Sequence, residues 1–330
     1  MYYFTKNILM DKKKIVIVGS NGYIGSVVTS YLLKKKFKII GIDNLIYKQK
    51  KIKFKPKNFT FVHLDFGDNK VLKYISDSYC VIVLAGLVGD PITKKYKRLS
   101  ESINYHRTLK FIKFCKHKNI KKLIFISTCS NYGISKKKKL LNEDEKLNPI
   151  SLYAKQKVKI EKYLISKNFN FQIVILRFAT AFGVSKRMRF DLTVNEFVKD
   201  AYLKKKIEVY EPHTFRPYCH VKDFARIIYL VIKEKFNKKV ILNCGSNNNN
   251  FSKQQITELL KKKIRSLNVN YVNKIKDSRN YKVNFSKIKK ELNFKAKYSM
   301  EYGIKEVIKF IKKRKTYTFL SRMGNYKIKN

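Results

Sequence analysis

Short, wholly apolar runs alternate with amphipathic ones over the first half of the chain. Ile15–Val18 is an unbroken run of β-type residues, followed by a glycine-punctuated turn and an apolar-periodic helix to about Lys35. Phe37–Ile42, Phe59–Leu64, Cys80–Leu84, Leu123–Ile126 and Ile173–Leu176 read as the next five strands, and Leu99–Lys118 has helical period. Unbroken apolar strands separated by amphipathic helices predict a parallel sheet covered on both faces. That is the doubly wound α/β architecture, which gathers its ligands at the carboxyl ends of the strands.

Past residue 180 the rhythm changes. Asp191–Leu203 and Lys222–Lys233 read as helices, Ile207–Tyr210 as a short strand and Val240–Leu242 as one more strand of the main sheet. Ser246–Asn250 is polar loop, and Ser252 is placed to cap a following helix. The expected organisation is a nucleotide-binding domain over 1–180, to which 220–245 returns. A smaller, discontinuous α/β substrate domain is expected over 181–219 and 246–315, and a basic surface tail over 316–330.

Composition narrows the class. The 330 residues are 44% apolar, which is enough for a sizeable core and excludes global disorder. No apolar run approaches the roughly 20 residues of a membrane span, and Met1–Asp11 lacks the cleavage site of a signal peptide. Five scattered Cys with no Cys-x-x-Cys pair fit neither a disulfide framework nor a zinc site, and suit a reducing cytoplasm; no metal is expected. The formal net charge is +52, yet only eleven of the 75 basic residues are Arg. Lys spread along the whole chain beside abundant Asn, Ile, Phe and Tyr resembles the drift of an AT-rich genome. A Lys-coated soluble protein is the plainer reading. Attraction of anionic substrates or phospholipid headgroups is the functional one. No basic helix or aromatic RNA motif points to nucleic acid.

The first strand runs into Gly19-Ser20-Asn21-Gly22-Tyr23-Ile24-Gly25 and then a helix. Glycines at these positions permit a sharp turn, close approach of backbone to a pyrophosphate, and tight helix–strand packing. The helix start adds free N–H groups and a positive dipole end. Asp43 ends the second strand at the spacing of a ribose-binding acid, and would repel a 2′-phosphate, which favours NAD over NADP. Asp65, after the third strand, is a second candidate at the adenine end or a turn residue.

Tyr153 and Lys157 stand four apart at the start of a helix, on one face. A phenol with a pKa of about 10 is a poor base at neutral pH. A nearby ammonium and a positive nicotinamide would lower it, so that the tyrosine takes a hydroxyl proton from a substrate. Alone the pair means little in a chain so rich in both residues. Ser127-Thr128-Cys129-Ser130-Asn131-Tyr132-Gly133 at the end of the fifth strand changes that, because a Thr128 hydroxyl there would share the substrate hydrogen bond. Cys129 has no activating neighbour and reads as a small buried residue.

With these residues the chain resembles the extended short-chain dehydrogenase/reductase family, in its nucleotide-sugar epimerase/dehydratase branch, over roughly Lys14–Lys309. The resemblance implies a Rossmann-type NAD-binding domain, with Gly19, Gly22 and Gly25 as the phosphate loop and Asp43 as the ribose acid. It makes Ala85-Gly86-Leu87 the loop along the cofactor, Asn104 the structural Asn of the next helix, and Thr128, Tyr153 and Lys157 the catalytic set. Arg216, in Arg-Pro-Tyr-Cys-His-Val-Lys-Asp, is similar to the family arginine that holds the substrate diphosphate, and Arg279 sits where a second often occurs. Dehydratases of the family that act across C5 and C6 follow the Thr with Asp-Glu. Cys129 and Ser130 stand there instead, which disfavours that chemistry. Thr180 replaces an Asn that contacts the sugar diphosphate. Arg187 and Arg189 would bind phosphate or an acidic sugar, surface charge being an equal alternative; Asp90 would face the sugar or cap a turn.

The resemblance implies a cytoplasmic, NAD-dependent epimerase of a nucleotide-diphosphate sugar, with inversion at C4 through a keto sugar, in surface polysaccharide or lipopolysaccharide precursor synthesis. A nucleotide-sugar reductase, dehydrogenase or dehydratase is the enzymatic alternative, and a non-catalytic basic scaffold on nucleic acid or membrane the other. A homodimer is expected through the helices around Leu99–Lys118 and Ser151–Lys167.

Overall fold

A computed structural model describes residues 13–135, 140–273, 279–313 and 317–328. Met1–Asp11, and the Asp277-Ser278 preceding Arg279, lie outside them. Seven strands form one parallel sheet in the order β10-β6-β5-β4-β1-β2-β3. They are β1 (Lys14–Val18), β2 (Lys38–Asp43), β3 (Phe59–His63), β4 (Cys80–Val83), β5 (Lys122–Thr128), β6 (Gln172–Phe178) and β10 (Lys239–Cys244). The strand order reverses between β1 and β4, so the crevice at their carboxyl ends is the place for a ligand. β1, β4 and β5 are buried almost throughout, as covered parallel strands must be.

One face of the sheet packs on helices α1 (Tyr23–Lys34) and α7 (Val221–Lys233) around Ile15, Ile17, Val28, Leu32, Phe224 and Ile228. Phe178 and Phe224 stack there at 3.9 Å between ring centres. The other face packs on the helical stretch 97–116 and on α5 (Leu152–Ser166). That stretch comprises α3 (Lys97–Glu101), a π-helical segment Ser102–Arg107, and α4 (Thr108–Lys116). A π segment inserts an extra residue in the turn and reorients the side chains after it. Here it carries Asn104, whose amide bonds the backbone N–H and C=O of Leu87.

The smaller lobe holds three short strands unseen in the hydrophobic pattern: β7 (Thr180–Phe182), β9 (Phe215–His220) and β11 (Asn250–Ser252). β8 (Lys206–Tyr210) pairs in parallel with β12 (Asn268–Val272). Further helices are α2 (Asp90–Lys95), α6 (Thr193–Lys204), α8 (Lys253–Lys261), α9 (Ser286–Leu292) and α10 (Met300–Lys312). Ser252 caps α8 in a reciprocal capping box with Gln255.

Two boundaries differ from expectation. Tyr281, Val283, Phe285, Ile288, Leu292 and Phe294 belong to the core of the main sheet rather than to the smaller lobe. The segment expected as a basic surface tail is instead folded back on the protein. It forms α11 (Tyr317–Ser321) and then an extended strap to Ile328, with Leu320 and Ile328 buried. Its few apolar residues find partners far away in the chain, so local composition could not reveal it. No helix among the described residues is long and apolar enough to cross a membrane.

Candidate active site

A cleft of about 590 Å³ runs along the carboxyl ends of β1, β4 and β5, between the two lobes. Its floor begins at the glycine loop. Gly19 has φ +88, and a Cβ there would lie 2.7 Å from the Ala85 nitrogen. A Cβ on Gly25 would come 1.9 Å from the Gly19 carbonyl oxygen. Both positions therefore require glycine. α1 starts at Gly22 with no side-chain cap, which leaves the first-turn N–H groups of Tyr23, Ile24 and Gly25 for an anion.

The side chain of Tyr23 does not serve that loop. Its hydroxyl donates to Gly183 O at 2.6 Å and accepts from Asn195, so the ring is buried in the smaller lobe. Ser185 adds bonds to the Tyr23 carbonyl and to Ser26, pinning the start of α1 to the opposite lobe. Only the backbone of Tyr23 is left to face a cofactor.

Asp43 accepts one backbone N–H on each carboxylate oxygen, from Leu45 and Asn21, both at 2.9 Å. Burial raises its pKa, and these two bonds oppose that. Each oxygen keeps a lone pair for a ribose hydroxyl. Asp65 is engaged differently. Its carboxylate is ion-paired with Arg107, accepts from Asn44 and Gly67, and is not among the residues lining the cleft. Asn104 is likewise buried behind the Ala85-Gly86-Leu87 loop. It shapes the wall, while Ala85 and Gly86 line it.

Thr128, Tyr153 and Lys157 all line the cleft. Thr128 Oγ1 accepts from Ser130 N–H at 3.0 Å, fixing the turn after β5. Lys157 is buried and donates to Ile126 O at 2.8 Å. Burial lowers its pKa to about 8, with Glu161 one turn on opposing. Its ammonium lies 5.7 Å from the centre of the Tyr153 ring. The expected depression of the tyrosine is absent in the chain by itself. Burial raises Tyr153 well above its ordinary value, Arg189 is the cation that opposes this, and Asp90 adds to it.

Beneath these residues lies a buried network that single motifs did not signal. Arg177 on β6 forks onto Glu161 on α5, with Nη2 2.8 Å from Oε2, and also donates to the Tyr132 hydroxyl and Glu143 O. Ser127 and Asn131 donate to the same Glu161 carboxylate. Tyr153, Lys157 and Glu161 recur every fourth residue of α5, so the ion pair anchors the face of the helix that carries Tyr153 and Lys157. Cys129 is buried with its thiol pushed up, and donates to Arg177 O at 3.2 Å.

The facing wall is built from arginines. Arg189 forks onto Asp191 with a closest contact of 2.6 Å, and also donates to Val88 O. Arg279 pairs with Asp90 at 2.7 Å, so Asp90 neither stands alone nor merely caps a turn. Arg216 donates to Phe215 O and to the backbone carbonyl of Arg279, bringing the two together. Arg187 lies over the Tyr47 ring at 4.5 Å, nearer the Asp43 end than the catalytic set. Burial, then Arg189, lowers its pKa to about 10. Thr180, Asn325 and Tyr326 also line the cleft, the last two from the strap. This floor suits a dinucleotide: a glycine turn against a helix start, a carboxylate at the end of the second strand, and a half-buried Tyr beside a buried Lys at the far end.

Comparison with known proteins agrees. The UDP-glucuronate 4-epimerase of Thermodesulfobacterium geofontis is 28% identical over 315 residues, covering 90% of this chain and 95% of that protein. The UDP-N-acetylglucosamine 4-epimerase of Methanobrevibacter ruminantium, solved with UDP-N-acetylmuramic acid, superposes with a TM-score of 0.82 at 25% identity, covering 92% of this chain and 99% of its own. The UDP-glucuronic acid 4-epimerase of Bacillus cereus, solved with UDP-glucuronic acid and NAD, superposes with a TM-score of 0.80 at 24% identity, covering 91% and 99%. The family model described as NAD dependent epimerase/dehydratase matches residues 15–245, and the chain belongs to that family of NAD-dependent enzymes.

Proposed function

We propose that the protein inverts C4 of a nucleotide-diphosphate sugar through a transient keto sugar, using NAD that it retains. The observation that carries this is the convergence of Thr128, Tyr153 and Lys157 on one cleft with the Gly19–Gly25 loop and Asp43, while Cys129 and Ser130 stand after Thr128. A buried thiol and a hydroxyl supply no carboxylate pair for eliminating water, which favours epimerisation. Similarity to UDP-sugar 4-epimerases supports a uridine nucleotide, and the chemistry suits precursor synthesis for surface polysaccharides.

Bound NAD would supply the hydride acceptor and a positive charge beside the phenol. Thr128 orients the C4 oxygen. Tyr153 removes the hydroxyl proton and later returns it, and Lys157, bonded to Ile126 O on β5, would hold the cofactor ribose. Burial raises the Tyr153 pKa, and the positive charge of bound NAD would oppose that. Arg216 and Arg279 bind the diphosphate. Arg189, close enough to act on Tyr153 electrostatically, lies at the sugar end and suits an acidic sugar. A homodimer through the 97–116 stretch and α5 belongs to the same reading. Exposed Lys110, Lys113, Lys155 and Lys159 on these helices would repel across it, so pairing should strengthen with salt, as sedimentation at two ionic strengths would read.

The deciding experiment is proton NMR of the purified protein with UDP-, GDP-, CDP- and dTDP-hexoses and uronic acids, with no cofactor added. Conversion of one sugar to its C4 epimer is the expected result. Conversion only on adding NADH or NADPH would replace this reading with a reductase.

A further inference from the structure

The strap after α11 binds three loops that together form the rim of the cleft. Met323 O accepts from Phe190 N–H at 2.7 Å, and Asp191 accepts the Asn325 N–H, which fastens the strap to the smaller lobe. The Asn325 side chain then reaches both ways. Its Nδ2 donates to Val88 O at 3.0 Å, and its Oδ1 accepts from Arg187 Nη2 at 2.7 Å. Arg187 in turn covers the Tyr47 ring, in the loop after β2 that follows Asp43. Tyr47, Arg187, Asn325 and Val88 thus make a continuous bridge from one loop of the main lobe, over the smaller lobe, to another loop of the main lobe. Ile328 closes the same rim with apolar contacts. It is buried in a cluster with Leu87 and Ile92, against which Ile46 and Tyr47 also pack.

A dinucleotide whose ribose meets Asp43 and whose far end meets Tyr153 lies along this cleft, under the bridge. It can leave only if the rim loops part, and each loop is tied to the strap. We infer that residues 323–328 are a latch that holds NAD in the cleft, with Ile328 as its apolar anchor and Asn325 as the residue that positions Arg187 and the Val88 loop. The inference rests on the cofactor-retaining epimerase proposed above, and gives it a physical cause: release is slow because opening the rim breaks contacts in three loops at once.

The test is an exchange measurement with no sugar present. Full-length protein carrying NAD is mixed with excess isotopically labelled NAD, and the label bound is followed by mass spectrometry. Ile328→Ser and Asn325→Ala should exchange at least about tenfold faster than the parent, since changes of this kind act mainly on dissociation. Ile328→Val, which keeps the anchor, should stay within about twofold. A chain ending at residue 316 should exchange fastest; because it also loses buried Leu320, the point variants carry the test. Exchange within about twofold of the parent in both Ile328→Ser and Asn325→Ala would overturn the latch. So would a parent protein that exchanges as fast as its variants. The two readings fail separately. Faster exchange in the variants of a protein that converts no sugar keeps the latch and removes the epimerase. Unaltered exchange in a working epimerase removes the latch alone.

Discussion

The two walls of the cleft are made differently. The floor is local: Gly19–Gly25, Asp43, Thr128 and the Tyr153–Lys157 pair each sit at a strand end or in the first turns of a helix, where the fold presents them to the crevice. The facing wall is assembled at long range. Arg279 meets Asp90, Arg187 meets Asn325, and Arg216 meets the backbone of Arg279. The floor can be written as short motifs because its geometry follows from backbone conformation. The arginine wall cannot, because each guanidinium is aimed by a partner from another part of the chain. Under the function proposed above, the floor carries the chemistry and the wall the recognition.

The sharpest way to break that division is Tyr153→Phe. Loss of the proton-transferring hydroxyl should lower kcat by roughly 10²–10⁴, with bound NAD and melting temperature unchanged. A variant that still turns over near the normal rate would take Tyr153 out of the role of base.

The next largest effect falls beneath the floor. Arg177→Met would leave Glu161, 1% exposed, as an uncompensated charge under the catalytic helix. Denaturant unfolding should show a loss of about 3–5 kcal/mol. A loss below about 1 kcal/mol would mean that the floor stands without this network.

Arg216→Ala tests the wall. Loss of charge-assisted bonds to a diphosphate, worth about 1.5–3 kcal/mol, should raise KM for the sugar nucleotide by one to two orders of magnitude and change kcat far less. An equal fall in kcat with KM unmoved would put Arg216 on the chemical side of the comparison.

The smallest effect concerns the smaller lobe itself. Burial pushes Glu306 up, but bonds from His220, Lys222 and the Val184 N–H more than offset this and bring its pKa down to about 2. The folded value lies below the unfolded one. The associated stability is therefore full above about pH 4.5 and lost as pH falls through about 2. Glu306→Gln should remove that dependence, at a cost of roughly 1–2 kcal/mol at neutral pH. Acid unfolding curves of parent and variant that stay parallel between pH 4.5 and 2 would contradict it.

These particulars also separate what could be read early from what could not. The strands of the main sheet were visible as unbroken apolar runs because both faces are covered. β7 and β11 escaped because three-residue strands have too short a period to show, and β9 because Arg216, Pro217 and His220 interrupt its apolar run although nearly all of it is buried. Spacing puts Asp65 at a strand end without saying that Arg107 will pair with it. The spacing puts Lys157 beside Tyr153 but does not say how far burial opposes its field, since electrostatics depend on burial and distance.

By itself the sequence determined the doubly wound sheet, the glycine loop and the strand-end and helix-start positions of Thr128, Tyr153 and Lys157, because all three follow from local periodicity and from steric demands on the backbone. Only the tertiary structure decided which arginine faces which partner, that Glu161 and Arg177 lie under the catalytic helix, and that the last residues return as a strap across the rim. Those are contacts between residues tens to hundreds of positions apart, and their energies exist only once burial has brought the groups together and removed the water between them.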